Sequence, residues 1–194
     1  MNAVAMPSPQ SSRRTLALVV GALMLPFALG AGLYFSGWQP GRAGNRGELL
    51  QPPAALPFAA FATPGGEPLA AGETGGKWLL VLAVPGACDP ACATRIDEMR
   101  RIQVSLNKEM GRLRRLVLAA DAADPAVSAA RQAQPDLLVA APAAAWPPVF
   151  AAATAPRLYV ADPQGNLILR YGSEVSAKDV RTDLDRLLKF AWTG

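Results

Sequence analysis

Residues 77–92 read KWLLVLAVPGACDPAC, and the order of events along that stretch decides the fold. Lys77–Val84 is a short, unbroken apolar run stopped by Pro85-Gly86, the pattern of a strand buried on both faces. After the stop come Cys88 and Cys92, separated by Asp89-Pro90-Ala91. Proline suits the first turn of a helix, and an acidic residue there meets the positive end of its dipole. Beyond Pro90, Ile96, Met99, Val104, Leu106 and Met110 interleave with Arg95, Arg100, Arg101 and Lys108 at helical spacing. The stretch therefore predicts strand, tight turn and helix, with the cysteine pair at the junction.

On the C-terminal side, Leu113–Ala120 (LRRLVLAA) reads as a second strand ending at Asp121. From Ala122 to Ala155 the chain is rich in alanine and proline. Within it Ala126–Gln134, bounded by Asp124-Pro125 and Pro135, predicts a helix, and Pro142–Pro148 a loop. Arg157–Ala161 and Leu167–Tyr171 are short strands joined by Asp162-Pro163-Gln164-Gly165-Asn166, a hairpin signal. Ser176 is placed to cap a last amphipathic helix carrying Val180, Leu184, Leu187 and Leu188 on one face. Strand, helix, strand, helix, hairpin and closing helix is the order of a thioredoxin-like α/β domain, a central mixed sheet flanked by helices, over residues 77–194.

On the N-terminal side, residues 38–76 hold prolines 40, 52, 53, 57, 64 and 68 among many glycines and read as a semi-rigid tether. Leu56, Pro57, Phe58 and Phe61 are its candidates for pinning to the domain, as an early edge hairpin. Before the tether, Thr15–Phe35 (TLALVVGALMLPFALGAGLYF) carries no charge and spans roughly 30 Å as a helix, enough to cross a bilayer. Tyr34 and Trp38 fall where an interfacial aromatic belt belongs, and Arg13 and Arg14 precede the run while Arg42 and Arg46 follow it. These flanks predict a cytoplasmic tail at 1–14, a membrane helix at 15–37 and an exported domain. The run is longer than a usual signal-peptide core and lacks a strong small-x-small cleavage site, which favours an uncleaved anchor.

Composition narrows the chemistry. The 194 residues are 51% hydrophobic and 18% charged, with a net charge of +4 and no histidine. Without histidine, His-based metal sites, Ser-His-Asp and Cys-His catalysis and histidine pH switching are excluded. Arg13 and Arg14 supply half of the net charge and the rest of the chain is nearly balanced, so the basic balance does not point to nucleic acid. Asp121, Asp124 and Asp136 show no pairing suited to acid–base work. Chemistry rests on Cys88 and Cys92. At a helix start, unpaired N–H groups stabilise a thiolate, and Arg95 one turn on adds positive charge. The pair can cycle as a disulfide, hold a soft ion such as Cu(I), or staple the loop permanently. Met99 and Met110 are candidate third ligands, but their helical spacing marks them as core residues. Trp146, in the Ala/Pro loop, reads as a ring closing one end of the core.

The run V-P-G-A-C-D-P-A-C after a buried strand resembles the C-x-x-x-C loop of the Sco/SenC proteins, membrane-tethered thioredoxin-like factors for cytochrome c oxidase assembly. L-Y-V-A-D-P-Q-G-N-L-I-L-R-Y-G, from Leu158 to Gly172, resembles that family's later strand, Asp-Pro turn and return strand. The resemblance implies a bacterial inner-membrane protein with one membrane pass and its domain in the periplasm. It would act on oxidase subunits or copper chaperones. It also implies Cys88 and Cys92 as redox residues, or as ligands of Cu(I). One departure weighs against copper: the family's third ligand is a histidine, at a position that falls near Thr154 here. Pro156 stands where thioredoxin-like redox proteins carry a cis-proline, so the resemblance implies a cis Ala155–Pro156 bond. Thiol–disulfide exchange is the expected activity, with a Cu(I) carrier or a non-catalytic assembly scaffold as alternatives.

Overall fold

The computed structural model describes residues 9–37, 44–70, 72 and 76–190. The expectations for residues 1–8, for Trp38 and Arg42, for residues 73–75 and for the end of the domain past residue 190 lie outside them. The chain divides into two compact units, Met1–Ala43 and Gly44–Gly194. In the first, helix α1 runs Pro9–Phe35 with Pro26 inside it. Its segment Arg13–Phe35 is long and apolar enough to cross a membrane.

The second unit is built on a seven-stranded mixed sheet. In chain order its strands are β1 Glu48–Ala55, β2 Phe61–Ala62, β3 Trp78–Val84, β4 Leu113–Ala119, β5 Leu138–Pro142, β6 Arg157–Ala161 and β7 Asn166–Arg170. Across the sheet the order is β1-β7-β6-β3-β4-β5-β2. β3 is central and buried along its whole length, as its unbroken apolar run demands. It pairs in parallel with β4, Trp78 opposite Leu113 and Val84 opposite Ala119, and antiparallel with β6. The helices are α2 Pro90–Ser105, α3 Pro125–Ala133, the single turn α4 Pro148–Ala151, and α5 Ala177–Phe190.

Alternation along β3 sends its side chains to two cores. Trp78, Leu80, Leu82 and Val84 face α2, α3 and α5, meeting Ile96, Met99, Ile102, Val127, Val180, Leu184 and Leu188. Leu79, Val81 and Ala83 face the other way, onto Leu56, Phe61, Leu69 and Phe150. Phe61, Trp146 and Phe150 stack edge to face, and Phe150 continues onto Tyr159, so Trp146 closes one end of this core.

Four expectations are corrected here. The folded unit begins at Gly44, not Lys77: β1 pairs with β7, β2 pairs with β5, and Phe61 is fully buried. Residues 44–70 are thus a strap over one face of the sheet. Leu138–Pro142, in the alanine- and proline-rich stretch where no strand was expected, is a strand, because β4 offers it a parallel partner. On α2, Val104 is exposed and Ile102 holds the buried position. Met110 is half-exposed because the helix ends at Ser105 and Asn107–Arg112 continues as a 3-10 turn with a different repeat.

The predicted turns and caps form as their chemistry requires. Asp162 Oδ1 accepts from the N–H groups of Gln164 and Asn166, and Gly165 takes φ +85°, a conformation L side chains rarely adopt. Ser176 Oγ accepts from the Asp179 N–H at the start of α5 and donates to its carboxylate. Edge strand β1 contains Pro52 and Pro53, and its register with β7 shifts between Leu49 and Ala54. At the opposite edge β2 is two residues long, and Ala62 bridges back to Pro68 of its own strap.

Candidate functional site

Cys88 and Cys92 form a disulfide, S–S 2.03 Å with Cα atoms 5.2 Å apart, between the end of β3 and the first turn of α2. Asp89 is the N-cap, its Oδ1 accepting from the Cys92 N–H at 2.8 Å, and Pro90 takes the first helical position. The two sulfurs differ in surroundings. Cys92 is 2% exposed and belongs to the helix-side core, whereas Cys88 is only partly buried.

A second carboxylate holds the loop from below. Asp124 Oδ2 accepts from the Cys88 N–H at 3.0 Å, while its Oδ1 caps α3 by accepting from Ala126 and Val127. The hydrogen bond from Cys88 leads the causes that hold the Asp124 carboxyl below its ordinary value. Sequence reasoning had Asp124-Pro125 only as a helix boundary. Its role follows from topology: β3 and β4 are parallel neighbours, so the loops after their C-terminal ends lie side by side. Two fields of opposite sign meet at Cys88, since the start of α2 favours a thiolate and the Asp124 carboxylate opposes one.

Other candidate residues separate into those near the disulfide and those far from it. A cleft of about 250 Å³ beside the disulfide is walled by Asp89, Cys92, Arg95, Ala155, Pro156 and Glu174. Pro156 is therefore where a cis-proline was expected, but its bond is not cis. The cis peptide among the described residues is Gln51–Pro52, and Pro156 sits trans at the lead of β6, where a strand accepts proline. Thr154 is exposed just before this wall. Within this wall Arg95 donates to the carbonyls of Val175 and Ser173 and pairs with Glu98 at 2.8 Å.

Neither methionine joins the site. Met99 is fully buried in the helix-side core, and Met110 lies just before β4, at the opposite end of the strands from the disulfide. Among the described residues no group of three or more Cys, Asp or Glu side chains is arranged to hold a metal ion. Once reduced, the two sulfurs would present a two-coordinate soft donor set, which suits Cu(I) and offers Cu(II) no third ligand.

Comparisons with known proteins place this geometry. The family described as transmembrane-like, thioredoxin-like, C-terminal domain matches residues 78–191, more than half of the chain. No curated protein matches the chain by sequence. Yeast Sco1 with copper bound is similar in structure at 18% identity, with a TM-score of 0.56 over 72% of this chain and 95% of that one. Apo Sco1 from Thermus thermophilus gives 20% identity and a TM-score of 0.54, covering 74% and 96%. A thioredoxin-like protein from Porphyromonas gingivalis gives 13% identity and 0.55, covering 69% and 92%. At such identities the likeness is one of fold. The chain thus has a Sco-like thioredoxin fold and belongs to the transmembrane-like, thioredoxin-like, C-terminal domain family.

Proposed function

We propose that this protein is a membrane-anchored thiol–disulfide exchange factor acting in cytochrome c oxidase assembly, through Cys88 and Cys92. The observation that carries the reading is the unequal burial of the two sulfurs at a strand–helix junction. Residues 1–14 would lie in the cytoplasm, residues 15–37 would cross the bacterial inner membrane, and the unit from Gly44 would work in the periplasm. The likeness to Sco1 structures supports the process, and the family description and the apolar α1 support the anchor.

In the reduced protein, the Cys88 thiolate attacks one sulfur of a client disulfide, forming a mixed disulfide and releasing the other client sulfur as a thiolate. Cys92 then attacks the Cys88 sulfur, which forms the Cys88–Cys92 disulfide and frees the second client thiolate. Two electrons pass from the dithiol to the client, and an external dithiol donor must restore them. The cleft at Pro156 and Glu174 offers the client chain a place to lie beside the sulfurs. Oxidase cysteines or those of a copper chaperone are the natural clients.

Trapping in membranes tests the order of attack. Cys92→Ser should accumulate a mixed disulfide with the client through Cys88, and Cys88→Ser should not. A reduction potential below about −300 mV, or oxidase assembly untouched by the double Cys88→Ser/Cys92→Ser variant, would leave an inert staple on a scaffold. A second reading, a Cu(I) carrier, draws on the likeness to copper-bound Sco1 and on the soft donor pair. Tight one-to-one Cu(I) binding by the reduced protein under anaerobic competition, lost in the double variant, would favour it.

A further inference from the structure

The chain enters the folded unit along α5. The backbone N–H groups of Arg46 and Gly47 both donate to Asp183 Oδ2 at 2.9 Å, and Tyr171 donates its hydroxyl to the same carboxylate. Asp183 is buried, and a Cβ on Gly47 would come within 2.7 Å of the Tyr171 ring, so the clamp fits its backbone closely. Further back, the Gly44 carbonyl accepts from the Arg186 guanidinium. Going from Arg46 to Gly44 therefore follows α5 from Asp183 towards its C-terminus. Only eight residues separate Phe35, the end of α1, from Gly44. They reach about 30 Å fully extended and about 17 Å as a flexible coil.

The end of α5 towards which the chain runs is the end opposite the disulfide. The Leu188 carbonyl accepts from Arg112, immediately before β4, whose first residue Leu113 lies beside Trp78 at the start of β3. The disulfide follows Val84 at the other end of β3, about 20 Å away. At the near pole Phe190 is 70% exposed, with the Lys189 ammonium 5.8 Å from its ring centroid. The turn Asn107–Arg112 adds exposed Lys108 and Met110. The acidic side chains there are already paired, Glu109 with Arg112 and Asp185 with Arg181. Exposed apolar side chains beside exposed lysines are the composition that binds an anionic lipid surface.

We propose that this pole, the C-terminal end of α5 with the turn Asn107–Arg112, rests on anionic phospholipid headgroups of the membrane that α1 crosses. Phe190 inserts among the headgroups, Lys108 and Lys189 meet their phosphates, and the disulfide faces away from the bilayer. The proposal depends on reading α1 as an anchor.

The test uses the full chain in lipid nanodiscs, of phosphatidylcholine alone or mixed with phosphatidylglycerol, read by amide hydrogen exchange. Segments 106–113 and 184–190 should exchange more slowly in the anionic discs, and added salt should remove the difference. Lys108→Glu and Lys189→Glu should each weaken the docked state by about fivefold, and Phe190→Ser should release the α5 segment. Unchanged exchange in β3 shows that these surface variants remain folded. Equal exchange in both lipids, or protection that maps to the disulfide end, would overturn the proposal. A chain that fails to co-elute with the discs would overturn the anchor, and this proposal with it. Co-elution without lipid dependence would overturn the surface contact alone.

Discussion

The two faces of the sheet are covered by different kinds of chain. One carries α2, α3 and α5, whose apolar positions recur at helical spacing. The other carries a proline- and glycine-rich strap, residues 44–70, with the single-turn helix α4. Both faces are dry: Ile96 and Phe61 are each fully buried. Regular secondary structure is thus one way to cover a sheet. A few large side chains on an irregular segment serve as well when they meet an aromatic cluster such as Phe61, Trp146 and Phe150.

The strongest way to break this equivalence is truncation. A soluble fragment from Gly44 should unfold cooperatively, whereas one from Lys77 should show no cooperative transition. The shorter fragment loses Leu56, Phe61 and Leu69 together, each buried to within a few per cent. Removing such side chains singly costs about 2–5 kcal/mol, against a typical total stability of about 5–15 kcal/mol. Calorimetry of the two fragments decides it, and equal melting of both would restore the tether reading.

Single substitutions sharpen the comparison. Phe61→Ala on the strap should cost about 3–5 kcal/mol, as much as Ile96→Ala on α2 at about 2–5 kcal/mol. Denaturant midpoints should fall for both with unchanged slopes. A strap variant near wild type would mean that the strap covers the sheet without stabilising it.

The smallest effect concerns the cap that joins the cysteine loop to the helical face. The Asp124 carboxyl is held below its ordinary value of 3.8, so its charge stabilises the fold above that pH. This contribution is lost as pH falls through the lowered folded value. Asp124→Asn should therefore cost about 1 kcal/mol or less near neutrality, and the gap from wild type should close below about pH 4. The same variant removes a negative charge beside Cys88, so in the reduced protein its thiol should alkylate faster at neutral pH. Unaltered alkylation would mean that the carboxylate only caps α3.

These contrasts also explain how far the sequence could be read. β3, the disulfide junction, the Asp162 turn and α5 announce themselves locally, through an apolar run, a proline at a first turn, an Asp-x-x-Gly turn and a periodic stripe. The strap does so only at Leu56, Phe58 and Phe61, its pinning residues; its extent stays hidden because its burial depends on a distant aromatic cluster and its prolines suppress any period. β5 escaped for a related reason: Leu138–Pro142 is short and alanine-rich, and its strand conformation is set by pairing with β4. Asp136 is another long-range case. It lies at the surface, yet it reaches back to the buried Arg115, which also meets Gln103 and Gln134. Burial opposes its charge, but the guanidinium prevails and keeps the carboxyl below its ordinary value. Only the assembled layers bring these groups together. The cysteines were legible as a pair, while their unequal exposure and the Asp124 contact needed the fold.

The outer strands have a consequence for life at a crowded surface. Were α1 to anchor the chain, copies sharing one membrane plane would meet far more often than copies in solution, and a bare sheet rim would recruit its neighbours strand to strand. Here one rim lacks two amide donors at Pro52 and Pro53 and breaks register between Leu49 and Ala54. The other rim is two residues long and folds back on its own strap through the Ala62–Pro68 bridge. Neither rim offers a neighbouring copy a template for strand-to-strand polymerisation.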